Sequence, residues 1–428
     1  MPEQTTRKQP IREQTTREQP TRNRPDHQRV VVTGLGAVSS AGLGVTAFTE
    51  SVRAGRRTTS EIRSFDTTGF PHVHAGEVHD FDPKQWLRRI DPEVWGRSGQ
   101  FAASAARMAV EDAGLTAEQL AAARAGSVIG TTSGESAVIE QLVGEWVSGE
   151  LKSLTPGTVA AAPAQRIAAA VNTELGLTGE ALTLATACSA SNYALGYAFD
   201  QVSSGEADYM IAGGADSVNR WAHAGFYRLG ALAEEVSRPF DADRAGILTA
   251  EGGVALLLER YDHAVARGAR IYAEMLGYSV NCDAEHMVHP DPTSIAACIR
   301  AAQRSAGVTP EEVDYVCAHG TGTRTNDSTE VAAVREVFGD RLPPISSLKS
   351  MIGHTMGAAS GFGALICCMA VHEGFLPPTA NLRQVDPALG PGVDPVPNTA
   401  RPASPRIVQN HGFAFGGNNA ITVFGRVA

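Results

Sequence analysis

Cys188 is the residue of this sequence that is best placed to act as a nucleophile. Residues 182–186, which precede it, alternate apolar and β-branched side chains and so predict a buried strand. Residues 190–199, which follow it, predict a helix. At such a junction, free backbone N–H groups and the positive end of the helix dipole favour the thiolate, the nucleophilic form of cysteine. A buried structural cysteine would show the same local pattern.

Three other stretches carry chemically active side chains at the ends of predicted strands. His319 begins a His-Gly-Thr-Gly-Thr run, Lys349 and His354 enclose a short Ser-Met-Ile-Gly segment, and residues 413–419 form a glycine-rich loop. Ligand sites in open α/β sheets form at the carboxyl ends of strands. Each stretch alone is typical of a capping or core residue, a solvated charge or a turn. Because they occur together with Cys188, we interpret them as parts of one site.

The remaining candidate ligands do not predict a metal centre. No pair of the six cysteines has C-x-x-C spacing, and Cys367 and Cys368 lie in an apolar run that is typical of core packing. Five further histidines lack the spacing of metal ligands, so we predict that they are structural or exposed to solvent. These histidines are His223, His286, His289, His372 and His411.

Length and composition narrow the class of protein. A chain of 428 residues with 43% hydrophobic and 19% charged residues is globular and long enough for two large lobes. The net charge of −10 argues against a nucleic-acid-binding protein. The longest apolar run, residues 363–371, is too short to cross a bilayer, so we expect no membrane association. The cysteine content fits a reducing cytoplasm, where we expect the protein to reside.

The elements that must position these residues follow an α/β pattern. Buried strands that end in glycine alternate with helices, which predicts a sheet covered on both faces. Helices are predicted at about 45–54, 99–113, 160–173, 294–306, 327–338 and 357–371. The glycines at 34 and 36 do not complete G-x-G-x-x-G, because position 39 is serine, so we interpret them as a tight turn after the first strand.

The order of elements divides the chain into three segments. Residues 1–28 are polar and repetitive, and they predict a disordered tail because they could not offset the entropy of ordering. Residues 29–272, with Cys188, and residues 273–428, with both strand-end histidines, show a similar order of elements. This similarity predicts an internal structural duplication.

Six motifs, in this order, make the chain resemble a known family. The chain resembles the elongating β-ketoacyl-acyl carrier protein synthases, the ketosynthases of type II fatty-acid and polyketide pathways within the thiolase superfamily. The resemblance extends from about residue 29 to the C-terminus and implies the thiolase fold, two similar halves stacked as five αβαβα layers, and a dimer. The motifs lie at residues 186–191, 211–216, 238–244, 319–323, 349–354 and 413–419.

The resemblance implies an acyltransferase that performs a decarboxylative condensation. Cys188 would take an acyl chain from the phosphopantetheine thioester of an acyl carrier protein. A malonyl-carrier protein would then lose CO2, and its carbanion would attack the Cys188 thioester to give a β-ketoacyl chain. No metal or dissociable cofactor is implied, because the phosphopantetheine arrives on the carrier protein.

The resemblance also implies catalytic roles. The backbone N–H groups of Cys188 and Phe415 would form the oxyanion hole for the acyl thioester. His319 and His354 would donate to the malonyl thioester oxygen during decarboxylation. Lys349 would organise His319 and the surrounding charge.

Supporting roles follow from the same resemblance. Glu330 would act together with the catalytic lysine, and Asp327 would support the same region. Thr321 and Thr323 would hydrogen-bond the pantetheine arm. The residues assigned to the acyl pocket or its gate are Phe413, Phe415 and Phe240.

Alternatives within the same fold remain. Two imidazoles distinguish the chain from starter-unit enzymes, which pair cysteine with histidine and asparagine, and from thiolases, whose second cysteine is missing from residues 413–419. A non-elongating partner subunit of a ketosynthase heterodimer usually lacks the nucleophile, so Cys188 argues against it. A homodimer and a heterodimer with a chain-length-factor-like subunit are equally compatible with one chain.

Some positions depart from the family pattern. His411 and Gly412 stand where Asn-Ser is usual, and Asn418 replaces a threonine. Residues 130–134 and 156–159 are small or polar where bulky apolar residues often line the acyl pocket. We therefore expect a wider or more polar pocket, and a polyketide or polyene role in preference to saturated fatty-acid synthesis.

Overall fold

The computed structural model describes residues 24–149 and 155–427. Most of the predicted tail, residues 1–23, lies outside the described residues. The last part of that tail is ordered, because Asp26–Gln28 form a 3-10 turn and the Arg24 guanidinium lies 4.7 Å from the centre of the Phe199 ring. The folded structure therefore begins before the predicted boundary at residue 29.

The described residues form strands and helices that alternate along most of the chain. The strands are β1 (Val30–Ser39), β2 (Gly42–Leu43), β3 (Ser60–Glu61), β4 (His74–Gly76), β5 (Ala125–Gly130), β6 (Ala181–Leu184), β7 (Tyr209–Asp216), β8 (Thr249–Ala250), β9 (Gly252–Arg260), β10 (Ala273–Cys282), β11 (Tyr315–Cys317), β12 (Ile345–Ser346), β13 (Phe375–Leu376), β14 (Arg401–Pro402), β15 (Ile407–Phe413) and β16 (Asn418–Gly425). The helices are α1 (Val45–Arg53), α2 (Arg97–Asp112), α3 (Ala117–Ala121), α4 (Ser136–Ser148), α5 (Pro156–Ala161), α6 (Arg166–Leu175), α7 (Ala190–Ser203), α8 (Arg220–Arg228), α9 (Tyr261–Ala266), α10 (Pro292–Ala306), α11 (Arg324–Phe338), α12 (Lys349–Ile352) and α13 (Ala359–Glu373).

One mixed sheet of eleven strands organises the part of the chain that the structure describes. Its order is β12-β11-β15-β16-β10-β1-β9-β7-β5-β6, with β2 paired to β1. Divided between β10 and β1, the sheet gives two halves in which the strands follow the same order. In each half, two antiparallel pairings are followed by two parallel ones. The internal duplication predicted from the order of elements is therefore present.

The two halves join directly through their first strands. Val30–Val32 of β1 pair antiparallel with Ala273–Met275 of β10, which makes the sheet continuous. The predicted division at residue 272 falls just before β10. Because the halves share a sheet, the ends of strands from both can reach one common edge.

Apolar side chains point alternately to the two faces of the strands and form three large apolar cores. On β9, Val254, Leu256 and Leu258 face a central core that contains α7 and α13, whereas Ala255 and Leu257 face an outer core with α2 and α6. The second half repeats this arrangement, with α10 and α11 on its outer face. Successive side chains of a strand point to opposite faces, so each sheet half is covered on both sides. The result is five αβαβα layers, with α7 and α13 in the middle.

Helix α13 is apolar on all sides because it lies in the central layer. Within the described residues, the stretch Met356–Glu373 is long and apolar enough to cross a membrane, but 89% of it is buried inside the protein. A helix enclosed between two sheet halves has the same composition as a membrane span. We therefore assign this stretch to the core.

Apart from element ends that shift by a few residues, two predicted elements differ from the structure. The glycines at 34 and 36 lie inside β1 instead of in a turn, because α2 packs directly on them: a Cβ at Gly36 would lie 1.9 Å from the Ala105 carbonyl oxygen. The helix predicted at 160–173 is divided into α5 and α6, since Pro163 interrupts it.

Candidate active site

The strand ends singled out in the sequence converge on one cavity of about 360 Å³. Cys188, His319 and His354 line it together with Thr321 and Thr323. The expectation that these stretches form a single site is confirmed. Other residues of the lining include Phe413, Phe415, Arg244, Phe226, Leu229 and Ile247.

Cys188 lies in a tight turn between a strand and a helix. Strand β6 ends at Leu184, two residues earlier than predicted, and Ala187–Ser189 form a single 3-10 turn before α7. Ala187 has a φ of 50°, the left-handed conformation that makes the turn sharp. Gly130 of β5 permits this packing, because a Cβ there would lie 2.4 Å from the carbonyl carbon of Ala190.

The cysteine rests as a thiol. Burial raises the pKa of Cys188 to about 11, since a charged sulfur would lose its hydration. The charge of Lys349 and the backbone N–H groups of Cys188 and Phe415 lower that pKa without offsetting burial. The backbone N–H groups at this turn therefore favour the thiolate, as predicted, but the effect of burial is larger.

Two backbone donors surround the sulfur. The backbone N–H groups of Cys188 and Phe415 lie near it and lower its pKa. Phe415 is held there by the turn between β15 and β16, where Gly416 and Gly417 adopt φ values of 86° and 79°. This is the arrangement that an oxyanion hole requires, with both donors belonging to the backbone and fixed before any substrate arrives.

His354 presents a proton to the cavity through Nε2. Its Nδ1 accepts a hydrogen bond of 3.1 Å from the backbone N–H of Met356, which leaves the ring proton on Nε2. Its own backbone is fixed by hydrogen bonds to Leu248 and from Ala250. Burial, followed by the charge of Lys349, lowers the pKa of His354 well below 6.5.

His319 has the same tautomer for a different reason. Its Nδ1 lies 3.5 Å from the Lys349 ammonium nitrogen, which also donates to the His319 carbonyl oxygen. An ammonium group can only donate, so Nδ1 accepts and the proton is on Nε2. Burial, followed by Lys349, lowers the pKa of His319 well below 6.5. The rings of His319 and His354 are 5.6 Å apart and nearly perpendicular.

Two buried carboxylates hold the loop that carries His319. Glu330 accepts the backbone N–H groups of His319 at 2.9 Å and of Gly320 at 2.8 Å. Asp327, one turn earlier on α11, accepts those of Gly322 at 3.1 Å and Phe240 at 2.8 Å, and burial raises its pKa to about 6. Both carboxylates therefore fix the backbone around His319.

The resemblance implied that Lys349 and Glu330 act together, and both contact the His319 backbone. They act on opposite ends of one residue, because Lys349 donates to the His319 carbonyl and Glu330 accepts the His319 N–H. Burial lowers the pKa of Lys349. The basic group that contacts Glu330 is His411, at 3.2 Å.

The two threonines lie on one wall of the cavity. Their hydroxyl oxygens are 2.9 Å apart, and Thr323 also caps the N-terminus of α11 by accepting from the Asn326 N–H. That cap explains why α11 begins at Arg324, three residues before the predicted helix. Both hydroxyls are positioned to bind a polar chain that enters the cavity.

The three phenylalanines assigned to the acyl pocket separate into two groups. Phe413 lies 5.7 Å from the His319 ring, and Phe415, 38% exposed, lies 5.8 Å from the Phe226 ring. Phe240 does not line the cavity, so its assignment to the gate is wrong. It is fully buried in the outer core of the second half and packs below Gly320.

Residues 130–134 are also not part of the cavity lining. Asp216 holds this loop, because it accepts hydrogen bonds from the Thr131 hydroxyl and from the backbone N–H groups of Thr132 and Ser133. The small and polar residues of this loop therefore surround the Asp216 carboxylate and donate hydrogen bonds to it. This weakens the argument that they widen the acyl pocket.

Sequence reasoning missed several residues of the site. His286 and His289 are exposed, in agreement with the prediction that they are structural or exposed, but they also line the cavity with their rings 4.2 Å apart. Arg244 also lines it and forms a buried ion pair with Asp386 at 2.6 Å. The spacing of the two histidines matched no ligand pattern, whereas Arg244 is the last residue of the family motif at 238–244. Within the described residues, no three His, Cys, Asp or Glu side chains are grouped as metal ligands.

Family models match both halves of the chain. The model described as the β-ketoacyl synthase N-terminal domain matches residues 27–264, and the C-terminal domain matches residues 272–383. A curated protein, 3-oxoacyl-(acyl-carrier-protein) synthase 2 of Coxiella burnetii (strain RSA 493 / Nine Mile phase I), is 35% identical over 418 residues. The match covers 94% of this chain and 99% of that relative.

Solved structures agree with these matches. A structure described as the ishigamide ketosynthase/chain length factor has a TM-score of 0.91 and 48% identity, covering 94% of this chain and 99% of its own. A second, AntDE:AntF, is described as a type II PKS acyl-carrier protein in complex with its ketosynthase bound to the hexaketide. It has a TM-score of 0.86 and 30% identity, covering 93% of this chain and 99% of its own.

The raised pKa of Cys188 predicts how its alkylation depends on pH. Because the thiolate reacts and the pKa is about 11, the rate of Cys188 alkylation by iodoacetamide should rise about tenfold per pH unit from pH 7 to pH 10. Peptide mass spectrometry would separate Cys188 from the exposed Cys282. Lys349→Met should slow the reaction at pH 9, because it removes a charge that favours the thiolate. A plateau reached below pH 8 would contradict the buried-thiol description.

Proposed function

The chain belongs to the β-ketoacyl synthase family and is an acyltransferase of the condensing type, and we propose that it extends an acyl chain on Cys188 with a malonyl unit from an acyl carrier protein. The duplicated thiolase fold predicted for it is that of the solved ketosynthases. One observation carries the proposal: Cys188, two backbone donors and two neutral histidines share a single cavity.

The first half-reaction transfers the acyl chain to the enzyme. The Cys188 sulfur attacks the thioester of an acyl-carrier protein, and the N–H groups of Cys188 and Phe415 stabilise the oxyanion that forms. The bond to the pantetheine sulfur then breaks, and the thiol proton of Cys188 ends on the departing pantetheine. Because Cys188 is a thiol at rest, it is a weak nucleophile before the substrate binds. We therefore expect the reaction to depend on the stabilisation of the oxyanion by the two N–H donors.

The second half-reaction uses the histidines. The Nε2–H groups of His319 and His354 donate to the thioester oxygen of the malonyl group while its carboxylate leaves as CO2. The resulting enolate carbon attacks the acyl carbon on Cys188. A new C–C bond forms, the C–S bond breaks, and Cys188 leaves as a thiolate that takes up one proton.

The polar wall of the cavity is where we expect the phosphopantetheine arm of the carrier protein to bind. Thr321 and Thr323 would bind the amides of the phosphopantetheine chain, and their adjacent hydroxyls support this assignment. The arm is covalently attached to the carrier protein, so the enzyme itself would need no dissociable cofactor. The six cysteines are all free thiols, which supports a reducing, cytoplasmic location.

A type II polyketide pathway is the setting we propose. It is supported by 48% identity to a structure described as the ishigamide ketosynthase/chain length factor, against 35% to the relative named 3-oxoacyl-(acyl-carrier-protein) synthase 2. The description of the first of these, a ketosynthase/chain length factor, also favours a heterodimer with a chain-length-factor-like subunit over a homodimer. A non-elongating role or a thiolase reaction remains the alternative, and Cys188 with two donor histidines argues against both.

The partner subunit has an apolar surface to cover. Helix α4 exposes Ile139, Val143, Trp146 and Val147 on one face, spaced three and four residues apart. Trp221 of α8 is exposed beside this helix, whose Glu140 contacts the Trp221 backbone. Exposed apolar faces of this kind mark protein–protein contacts.

Removal of one histidine donor should separate the two half-reactions. His354→Ala should lower decarboxylation of malonyl-carrier protein by about 10²–10³-fold, because one of two oxyanion donors is lost. Acylation of Cys188, followed by intact-protein mass spectrometry, should change far less. His372→Ala, an exposed histidine on α13, serves as the matched control for both assays. Equal loss of both half-reactions in His354→Ala would contradict the assigned role.

A charge on the apolar face should prevent assembly. Trp146→Asp should abolish co-purification with a co-expressed chain-length-factor-like subunit, whereas Val265→Asp, at an exposed apolar position on α9, should not. Light scattering after size-exclusion chromatography would report the 1:1 complex. A stable and active dimer of this chain expressed alone would overturn the heterodimer proposal.

A further inference from the structure

His411 is a buried histidine to which neither the sequence nor the proposed reaction gives a role. It lies on β15 near the glycine-rich loop, and its side chain has no exposed surface. Its Nδ1 lies 3.2 Å from Glu330 Oε1, and its Nε2 lies 3.5 Å from Gln409 Oε1. An imidazole nitrogen this close to a carboxylate oxygen donates its proton to it.

Glu330 needs such a donor because its carboxylate is fully buried. A buried carboxylate is tolerated when several donors replace its hydration. The backbone N–H groups of His319 and Gly320 supply two donors. Among the described residues, His411 supplies the one basic side chain within 4 Å.

His411 and His319 are linked by way of the same oxygen. Oε1 of Glu330 accepts both the N–H of His319, at 2.9 Å, and Nδ1 of His411. The position of this oxygen therefore determines where the His319 backbone lies. On the far side of His319, Lys349 holds the carbonyl, so a shift of Glu330 would rotate the peptide and move the ring.

A second contact leads from His411 to His319 through Phe413. The His411 ring lies 5.5 Å from the Phe413 ring, which lies 5.7 Å from the His319 ring. Phe413 is 2% exposed, so it has little room to adjust if either neighbour changes. His411 is thus linked to the His319 backbone through Glu330 and to the His319 ring through Phe413.

We propose that His411 is a positioning residue whose N–H holds Glu330 and thereby places the His319 donor for decarboxylation. The inference rests on the proposed function, because it concerns one step of that reaction. His411 touches neither the substrate nor the reacting atoms. A histidine that served the fold alone would affect both half-reactions equally, which separates the two roles.

The test compares His411→Leu with His411→Asn. Leucine removes the donor to Glu330, and decarboxylation of malonyl-carrier protein should fall about 10- to 100-fold more than acylation of Cys188, since a misplaced donor loses catalysis steeply. Asparagine carries an amide donor and should restore most of the decarboxylation rate. If the leucine variant does not fold, His411→Ala replaces it in the same comparison, with folding checked by circular dichroism.

A double-mutant cycle shows whether the effect passes through His319. In a His319→Ala background, the His411 substitution should cause no further loss of decarboxylation, because the donor that it positions is absent. Additive losses, or equal losses of acylation and decarboxylation, would overturn the inference. A wild-type protein that shows neither half-reaction would instead overturn the proposed function, and with it this inference.

Discussion

The site depends on the way two opposite charges hold the backbone of His319. Lys349 donates to its carbonyl oxygen and Glu330 accepts its N–H, and both charged groups are buried. Removing either one would release one end of the His319 backbone from its charged partner. Burial and then the charge of this lysine lower the pKa of both neighbouring imidazoles, and the lysine directs the His319 ring proton into the cavity. One clamp therefore sets the position, the charge state and the tautomer of a donor.

The nucleophile is adapted to the same low-polarity setting. Burial keeps Cys188 protonated, so the free enzyme does not expose a reactive thiolate. The backbone N–H groups that lie against its sulfur are the groups that would stabilise the oxyanion of an acyl thioester and then the thiolate that leaves. The same two N–H donors would thus stabilise first the oxyanion and then the thiolate. The turn at Gly416 and Gly417 keeps the Phe415 donor in place.

The sequence indicated the architecture because its signals are local. Alternation and glycine-terminated strands predicted the duplicated α/β fold, and strand ends located Cys188, His319 and His354. Properties set by distant contacts were not predictable: Phe240 turns into the core because Asp327 holds its N–H, and the thiol pKa reflects burial by both halves. His411 showed no pattern of its own, since its partner Glu330 lies 81 residues away along the chain.

The most direct test of the account is intact-protein mass spectrometry of the assembled enzyme during one catalytic cycle. The wild type, mixed with an acyl-carrier protein, should gain the mass of the acyl group. Addition of malonyl-carrier protein should remove that mass and yield a β-ketoacyl group two carbons longer on the carrier. Cys188→Ala should show no adduct and no condensation product. An acyl adduct that persists in Cys188→Ala, or a wild-type adduct that malonyl-carrier protein leaves unchanged, would contradict the account.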